Sequence, residues 1–133
     1  MKLPRFRRLR LRFWVTCALA LLVGWYASAY PRGVVVACVD HIFGHYEEKI
    51  YGYPPPWQGD YGQLLEERYG VHLEYVADCV VPLDVGWYAS GYNTVSCRLL
   101  NKKYGRNIFD ECADDARERW GKSQADLNVD QIN

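Results

Sequence analysis

The residues best suited to chemistry lie in the segment CVDHIFGH, which contains Cys38, His41 and His45. If this segment is helical, the two histidines lie one turn apart and could chelate a metal, with Asp40 or His72 as a further ligand. Cys38 and His41 could also form a nucleophile–base pair. The sequence has no H-E-x-x-H pattern and no identifiable fourth ligand. We therefore expect ordinary surface histidines, with no metal, no cofactor and no catalytic residue.

Aromatic residues surround three consecutive prolines in the segment YGYPPPWQGDYG. Proline is excluded from helix interiors and favours extended backbone, so the segment predicts a stiff loop. Exposed rings on such a loop can stack on sugars or pack against a partner protein, whereas rings that fold back would cover the helices. The candidate partner-binding residues are Tyr51, Tyr53, Trp57 and Tyr61.

The cysteine count depends on whether the N-terminal segment is removed. Without residues 1–29, Cys17 is lost and four cysteines remain, which predicts two disulfides in a small exported domain. Four unpaired buried thiols are the alternative, and the lack of a C-x-x-C spacing disfavours zinc. If the last two helices fold back on each other as an antiparallel hairpin, Cys97 and Cys112 come to lie side by side. The predicted bridges are Cys97–Cys112 and Cys38–Cys79.

The N-terminal segment has the layout of a secretory signal. Residues 1–12 carry six basic side chains and no acidic one, eleven uncharged residues follow, and Ala27-Ser28-Ala29 offers a small-x-small cleavage site. The alternative is an uncleaved anchor, because residues 13–30 are uncharged and about 17–25 residues cross a bilayer. The basic residues would hold its N-terminus in the cytoplasm. Both alternatives export the body to a bacterial periplasm or beyond.

The body that follows is acidic. Residues 13–133 hold ten Lys or Arg against sixteen Asp or Glu. Phosphate binding needs clustered basic side chains, so this balance excludes a nucleic-acid partner.

Hydrophobic periodicity predicts a mainly helical domain with a short β element, a small α+β domain. A helical stripe covers residues 34–51, although a strand at 33–39 followed by a shorter helix is the alternative. Further helices are predicted over residues 61–69, from Asp84 as N-cap, and from Asn107 as N-cap with Asp110 three residues later. We expect the last two helices to form a disulfide-stapled hairpin.

Turn and strand signals complete the prediction. Each of Gly52, Gly70 and Gly105 follows a charged run and a tyrosine, which predicts three helix ends. The alternating segment VHLEYVA predicts a half-buried strand at residues 71–77. Its backbone needs a partner, either residues 34–37 or a second copy of the protein.

The string VGWYAS occurs twice, at residues 23–28 and 85–90, but the flanking segments do not align at that offset. This excludes a tandem domain. In the second copy Gly91 lies inside a predicted helix, where glycine costs about 1 kcal/mol relative to alanine. We expect a close helix contact at Gly91.

These patterns divide the chain into a signal or anchor (1–29), one small exported domain (30–120) and a flexible tail (121–133). The hypothesis is a non-enzymatic binding or accessory protein, inhibitor- or immunity-like, that acts on a protein or an envelope polymer. One alternative is a membrane-tethered structural subunit, if residues 13–30 remain in the membrane. The other is a small metal- or thiol-dependent enzyme that uses Cys38, His41 and His45. Oligomeric state is open, and no motif identifies a named family.

Overall fold

A computed structural model describes residues 5–130 of the chain. It is mainly helical with one small sheet, which confirms the α+β prediction at that level. Within the described residues the elements follow in the order α1 (Arg5–Ala27), α2 (Ala29–Phe43), β1 (Tyr46–Tyr51), α3 (Gln58–Tyr69), β2 (Val71–Ala77), α4 (Leu83–Tyr104) and α5 (Ile108–Asp130).

The predicted helix over residues 34–51 is divided between a helix and a strand. Helix α2 ends at Phe43 because Gly44 adopts a left-handed conformation, with φ of 77°. The chain then reverses, and β1 begins at Tyr46. The alternative strand at 33–39 is also wrong, since those residues belong to α2.

Strand β2 has the predicted bounds, and its partner is β1 rather than residues 34–37 or a second copy. The two strands are parallel, with Glu48 paired with Leu73, and α3 makes the crossover between them.

Gly70 ends α3 in a left-handed conformation, as predicted. Gly52 also has a positive φ of 90°, but it follows a strand, so the helix end predicted there is wrong.

Side chains of α4 satisfy the second edge of β1. The Asn93 amide accepts a hydrogen bond from the Lys49 N–H at 2.8 Å and donates one to the Lys49 carbonyl at 2.7 Å. Ser96 Oγ donates to the Glu47 carbonyl at 2.8 Å. Helix α4 thus supplies hydrogen bonds that a third strand would otherwise make, and a two-stranded sheet needs such support to be stable.

Helices α2 and α4 touch backbone to backbone. A Cβ added at Gly91 would lie 2.2 Å from the Tyr30 carbonyl oxygen, and one at Gly33 would lie 2.1 Å from that of Tyr88. Only glycine permits such an approach. The close contact predicted at Gly91 is therefore confirmed. Beside it, Ala29 is fully buried.

The main hydrophobic core lies between α3, β2, α4 and α5. Helix α5 packs chiefly against α3 rather than folding back along α4, so the predicted hairpin of the last two helices is wrong. The Asn107 N-cap is confirmed by its side-chain bond to the Asp110 N–H. The buried residues are Tyr61, Leu64, Leu65, Tyr69, Val71, Leu100, Ile108, Phe109, Cys112 and Ala116.

The helix ends differ from their predictions in detail. Helix α3 begins at Gln58, whose N–H bonds the Pro55 carbonyl, three residues before the predicted start. Helix α4 begins at Leu83 with Pro82 at its N-cap, so Asp84 lies in the first turn instead of capping it. Helix α5 continues to Asp130, through residues 121–130 of the predicted flexible tail.

Both predicted disulfides are wrong, since all five cysteines are unpaired. Cys112 is buried in the core and Cys97 lies partly buried against it, because α5 leaves α4 to pack on α3. Cys38 and Cys79 are exposed, so the alternative of four buried thiols is also wrong. Burial raises the pKa of the Cys97 thiol to about 12 and raises the pKa of Cys112 as well.

Helix α1 exposes large apolar side chains such as Trp14 and Leu21. In the described part of the chain no single helix is both long and apolar enough to cross a bilayer, which overturns the prediction of a transmembrane helix over residues 13–30. By length and composition alone, residues 10–27 and α2 qualify only as a pair bent by 48°. The bend falls at Ser28, where α1 ends and α2 begins.

Candidate partner-binding cleft

A cleft of about 310 Å³ opens where β1, the proline loop, α3 and α4 meet. All four aromatic residues proposed from the sequence line it: Tyr51 at the end of β1, Tyr53 just after it, and Trp57 and Tyr61 at the start of α3. The fold therefore brings together residues that are up to ten positions apart. The remaining lining residues are Lys49, Ile50, Pro55, Gln58 and Asn93.

The four rings differ in exposure. Tyr53 is 86% exposed and Tyr51 is 47% exposed, whereas Tyr61 is buried and Trp57 is half-buried. The two interpretations of the aromatic loop thus apply to different residues. Two rings face solvent at the rim, and two fold back to form the wall.

The wall of the cleft is anchored to two helices. The Trp57 and Tyr61 rings meet edge to face, with centroids 6.0 Å apart. The Arg117 guanidinium of α5 lies 4.7 Å from the Trp57 ring centroid on a cation–π contact. These contacts fix the end of the proline loop, so the cleft exists without a ligand.

Behind the wall lies a half-buried carboxyl group, that of Glu48. The Tyr61 hydroxyl donates a hydrogen bond to Glu48 Oε2 at 2.6 Å. Burial raises the pKa of Glu48, and the Tyr61 bond opposes part of that rise. Burial and the nearby Glu48 also raise the pKa of Tyr61, which keeps its hydroxyl protonated.

Lys49 is a buried cation whose charge is fully compensated. Its ammonium pairs with Glu47 and Glu74 and lies 4.5 Å from the Tyr92 ring centroid. Burial lowers the pKa of Lys49, but hydrogen bonds to the two carboxylates outweigh it, so its pKa is raised. The Tyr92 hydroxyl in turn donates to Asp40 at 2.9 Å. Lys49 therefore brings no free positive charge to the cleft.

Most polar groups around the cleft already have partners. The Asn93 amide bonds the Lys49 backbone, the Lys49 ammonium bonds two carboxylates, and the Tyr61 hydroxyl bonds Glu48. A ligand would have to break these bonds to use those groups, which is costly in a buried site. The cleft consequently offers ring surfaces more than hydrogen bonds.

The candidate metal and thiol residues do not assemble into a site. Because α2 ends at Phe43, His41 and His45 do not share a helix face. The His41 ring instead packs against Tyr46, with centroids 5.2 Å apart. Across residues 5–130 no three His, Cys, Asp or Glu side chains are placed to hold a metal together. The hypothesis of an enzyme built on Cys38, His41 and His45 lacks geometric support.

Sequence reasoning missed the polar groups behind the rings. Glu47 and Glu48 belong to a charged run that suggests a solvated face, and no local signal shows that Lys49 is buried. Glu74 is twenty-five residues from Lys49 along the chain, and Asn93 is forty-four away. Only the parallel pairing of β1 with β2 and the packing of α4 bring these groups together.

Fold and cleft together define a small α+β protein with an aromatic-lined cleft and no assembled metal site among its described residues. Comparison of the chain with protein-family models, curated proteins and solved structures finds no significant match.

Proposed function

We propose that this is an exported, non-enzymatic binding protein whose cleft receives an uncharged side chain of a partner protein. The observation that carries the proposal is the exposure of Tyr51 and Tyr53 at the rim of a cleft whose buried polar groups are already paired. Tyrosine is enriched at protein interfaces because its ring is rigid and amphipathic.

A partner protein fits this chemistry better than an envelope polymer does. Each sugar hydroxyl that loses water needs a replacement hydrogen bond. The Asn93, Lys49 and Tyr61 groups are engaged within the protein, so only the Tyr51 and Tyr53 hydroxyls at the rim and the Gln58 amide are left to replace the many hydrogen bonds that a sugar needs. An apolar or aromatic protein side chain needs only contact area, which the rings provide.

The fixed wall also favours binding. Trp57 is held by Tyr61 and Arg117, and the three prolines restrict the loop that carries Tyr53. A site that is ordered before binding loses less conformational entropy on association. The cleft can therefore gain useful affinity from a small contact area.

Export is part of the proposal and is supported by the N-terminal segment. Residues 1–12 carry six basic side chains, and the apolar side chains farther along α1 face solvent on the folded protein. Such a helix is poorly suited to water, and removal of the segment resolves that conflict.

Site-specific photo-crosslinking in the producing cells tests this function. The full chain would carry benzoylphenylalanine in place of Tyr53 or, as a matched control, Tyr75, which is 51% exposed on β2 and outside the cleft. We expect one defined protein adduct from position 53 and none from position 75. Equal adducts at both positions, or no protein adduct at position 53, would refute the proposal. Retention on purified envelope polymer that Tyr53→Ala abolishes would also refute it.

A further inference from the structure

We infer that the cleft binds an extended, proline-containing segment of its protein partner. This inference rests on the proposed function and specifies the ligand chemistry of the same site. Three features of the cleft carry it: its rings, its lack of free charge, and the hydrogen-bonding groups that remain unused.

Several ring surfaces line the cleft. Tyr51, Tyr53 and Trp57 line it together with the ring of Pro55. Grooves lined by aromatic rings accommodate the flat faces of proline rings in an extended helix with three residues per turn. A proline-rich segment is already extended when free, so little ordering entropy is lost when it docks.

Charge complementarity points the same way. The Lys49 ammonium is neutralised by Glu47 and Glu74, and the Arg117 guanidinium is stacked on Trp57 outside the lining of the cleft. A ligand that inserted a charged side chain would lose its hydration without gaining an opposite charge. Proline and the small uncharged residues that accompany it in such segments carry no charged side chain.

The unused polar groups suit carbonyl acceptors. Tyr51 and Tyr53 are exposed at the rim, and among the described residues their hydroxyls and the side-chain amide of Gln58 do not belong to the paired groups of the cleft. Each can donate to a backbone carbonyl. An ordinary extended peptide would also present N–H groups, whereas one of the two side-chain amide oxygens lining the cleft, Asn93 Oδ1, is already occupied by Lys49. Proline has no N–H, so a proline-rich segment leaves fewer donors to satisfy.

Titration of the full chain in neutral detergent tests the inference. The probes are a twelve-residue peptide of repeated Ala-Pro-Pro, the same peptide with serine at every proline, and a chito-oligosaccharide. We expect the proline peptide to bind with a Kd of about 1 mM or tighter. The serine peptide and the oligosaccharide should bind at least about tenfold more weakly. Tyr53→Ala should weaken proline-peptide binding by about tenfold, and Tyr75→Ala should change it less than twofold.

The possible failures are distinguishable. Equal binding of the two peptides, preferential binding of the sugar, or no peptide binding at millimolar concentration would overturn the proline inference. If a crosslink at position 53 still captured one defined protein, the proposed function would stand without it. Self-association of the chain that Tyr53→Ala abolishes would overturn the inference by placing a second copy in the cleft.

Discussion

The side-chain amide of Asn93 hydrogen-bonds both the N–H and the carbonyl of Lys49, at 2.8 and 2.7 Å. A helix side chain thus stands where the backbone of a neighbouring strand would be. This pair ties α4 to β1 at the floor of the cleft. The stability of the fold and the shape of the cleft therefore depend on the same two residues.

Removing this amide should destabilise the whole protein. Asn93→Ala leaves the Lys49 N–H and carbonyl without their partner, and an unpaired buried backbone group costs about 1–3 kcal/mol. We expect the free energy of unfolding, measured by urea denaturation, to fall by at least about 2 kcal/mol. The neighbouring Thr94→Ala, whose hydroxyl is exposed and bonds within α4, should change it by less than about 0.5 kcal/mol. Equal effects from both variants would contradict a special role for Asn93.

The contact between α2 and α4 predicts strong intolerance of a single methyl group. Gly91→Ala would place a Cβ 2.2 Å from the Tyr30 carbonyl oxygen, so the helices must separate. We expect a loss of about 3 kcal/mol in thermal or urea unfolding. Gly121→Ala, on α5, meets no atom within 4 Å and should stabilise by up to about 1 kcal/mol, as alanine does in an exposed helix. A neutral Gly91→Ala would show that the helices do not touch as described.

The half-buried Glu48 predicts a specific dependence of stability on pH. Because its folded pKa is raised above its ordinary value of 4.5, folding favours the protonated form. The stability contributed by Glu48 is therefore fully present below pH 4.5 and is lost as pH rises through the folded pKa. Glu48→Gln is neutral at every pH and should be more stable than the wild type at pH 8, with the gain shrinking toward pH 4.

Matched variants separate this effect from the general charge of the protein. Glu67 is an exposed carboxylate on α3, and Glu67→Gln removes the same charge without touching the contact of Glu48 with Tyr61, so its unfolding curves should run parallel to those of the wild type. Urea unfolding at a series of pH values gives both curves. Parallel curves for Glu48→Gln and the wild type would rule out a raised pKa at Glu48.

Thiol reactivity should divide the cysteines of the body into two classes. Cys38 and Cys79 are exposed, whereas burial raises the pKa of Cys97 to about 12 and also raises that of Cys112. Since the thiolate is the reacting form, alkylation by iodoacetamide at pH 8 should label the exposed pair first. Peptide mass spectrometry during a time course measures this order. Rapid labelling of Cys97 or Cys112 in the native protein would contradict the buried placement.

Local signals predicted the elements whose causes are local. The alternation of residues 71–77 gave β2 its correct bounds, and Gly70 and Gly105 end helices because each can adopt a left-handed conformation. Strand β1 escaped prediction because its charged segment becomes a strand only through pairing with β2 and α4. The disulfide prediction failed for a similar reason, since a cysteine count carries no information about where α5 packs.

The candidate site likewise has some features that local sequence predicted and others that it could not. The rings of Tyr51, Tyr53, Trp57 and Tyr61 were proposed from their spacing around the prolines, and the fold places all four in one cleft. Which rings face solvent depends on α3 and on Arg117, sixty residues beyond Trp57. The exposure of the rings, the compensation of the Lys49 charge and the pairing of the polar groups could not be predicted from the sequence, because all three depend on tertiary contacts.

The burial of Ala29 at the start of α2 would limit when a signal peptidase could act, if the proposed export includes cleavage after this residue. A peptidase needs its substrate extended in the active site, but the bond after Ala29 lies at the start of a packed helix, beside the contact of Tyr30 with Gly91. Under the proposed export, removal of residues 1–29 would have to precede the docking of α2 onto α4. Folding before transport would hide the bond and leave the leader attached. Gly91, which lets the two helices touch, would then also limit the time available for cleavage, because docking of α2 onto α4 ends access to the bond.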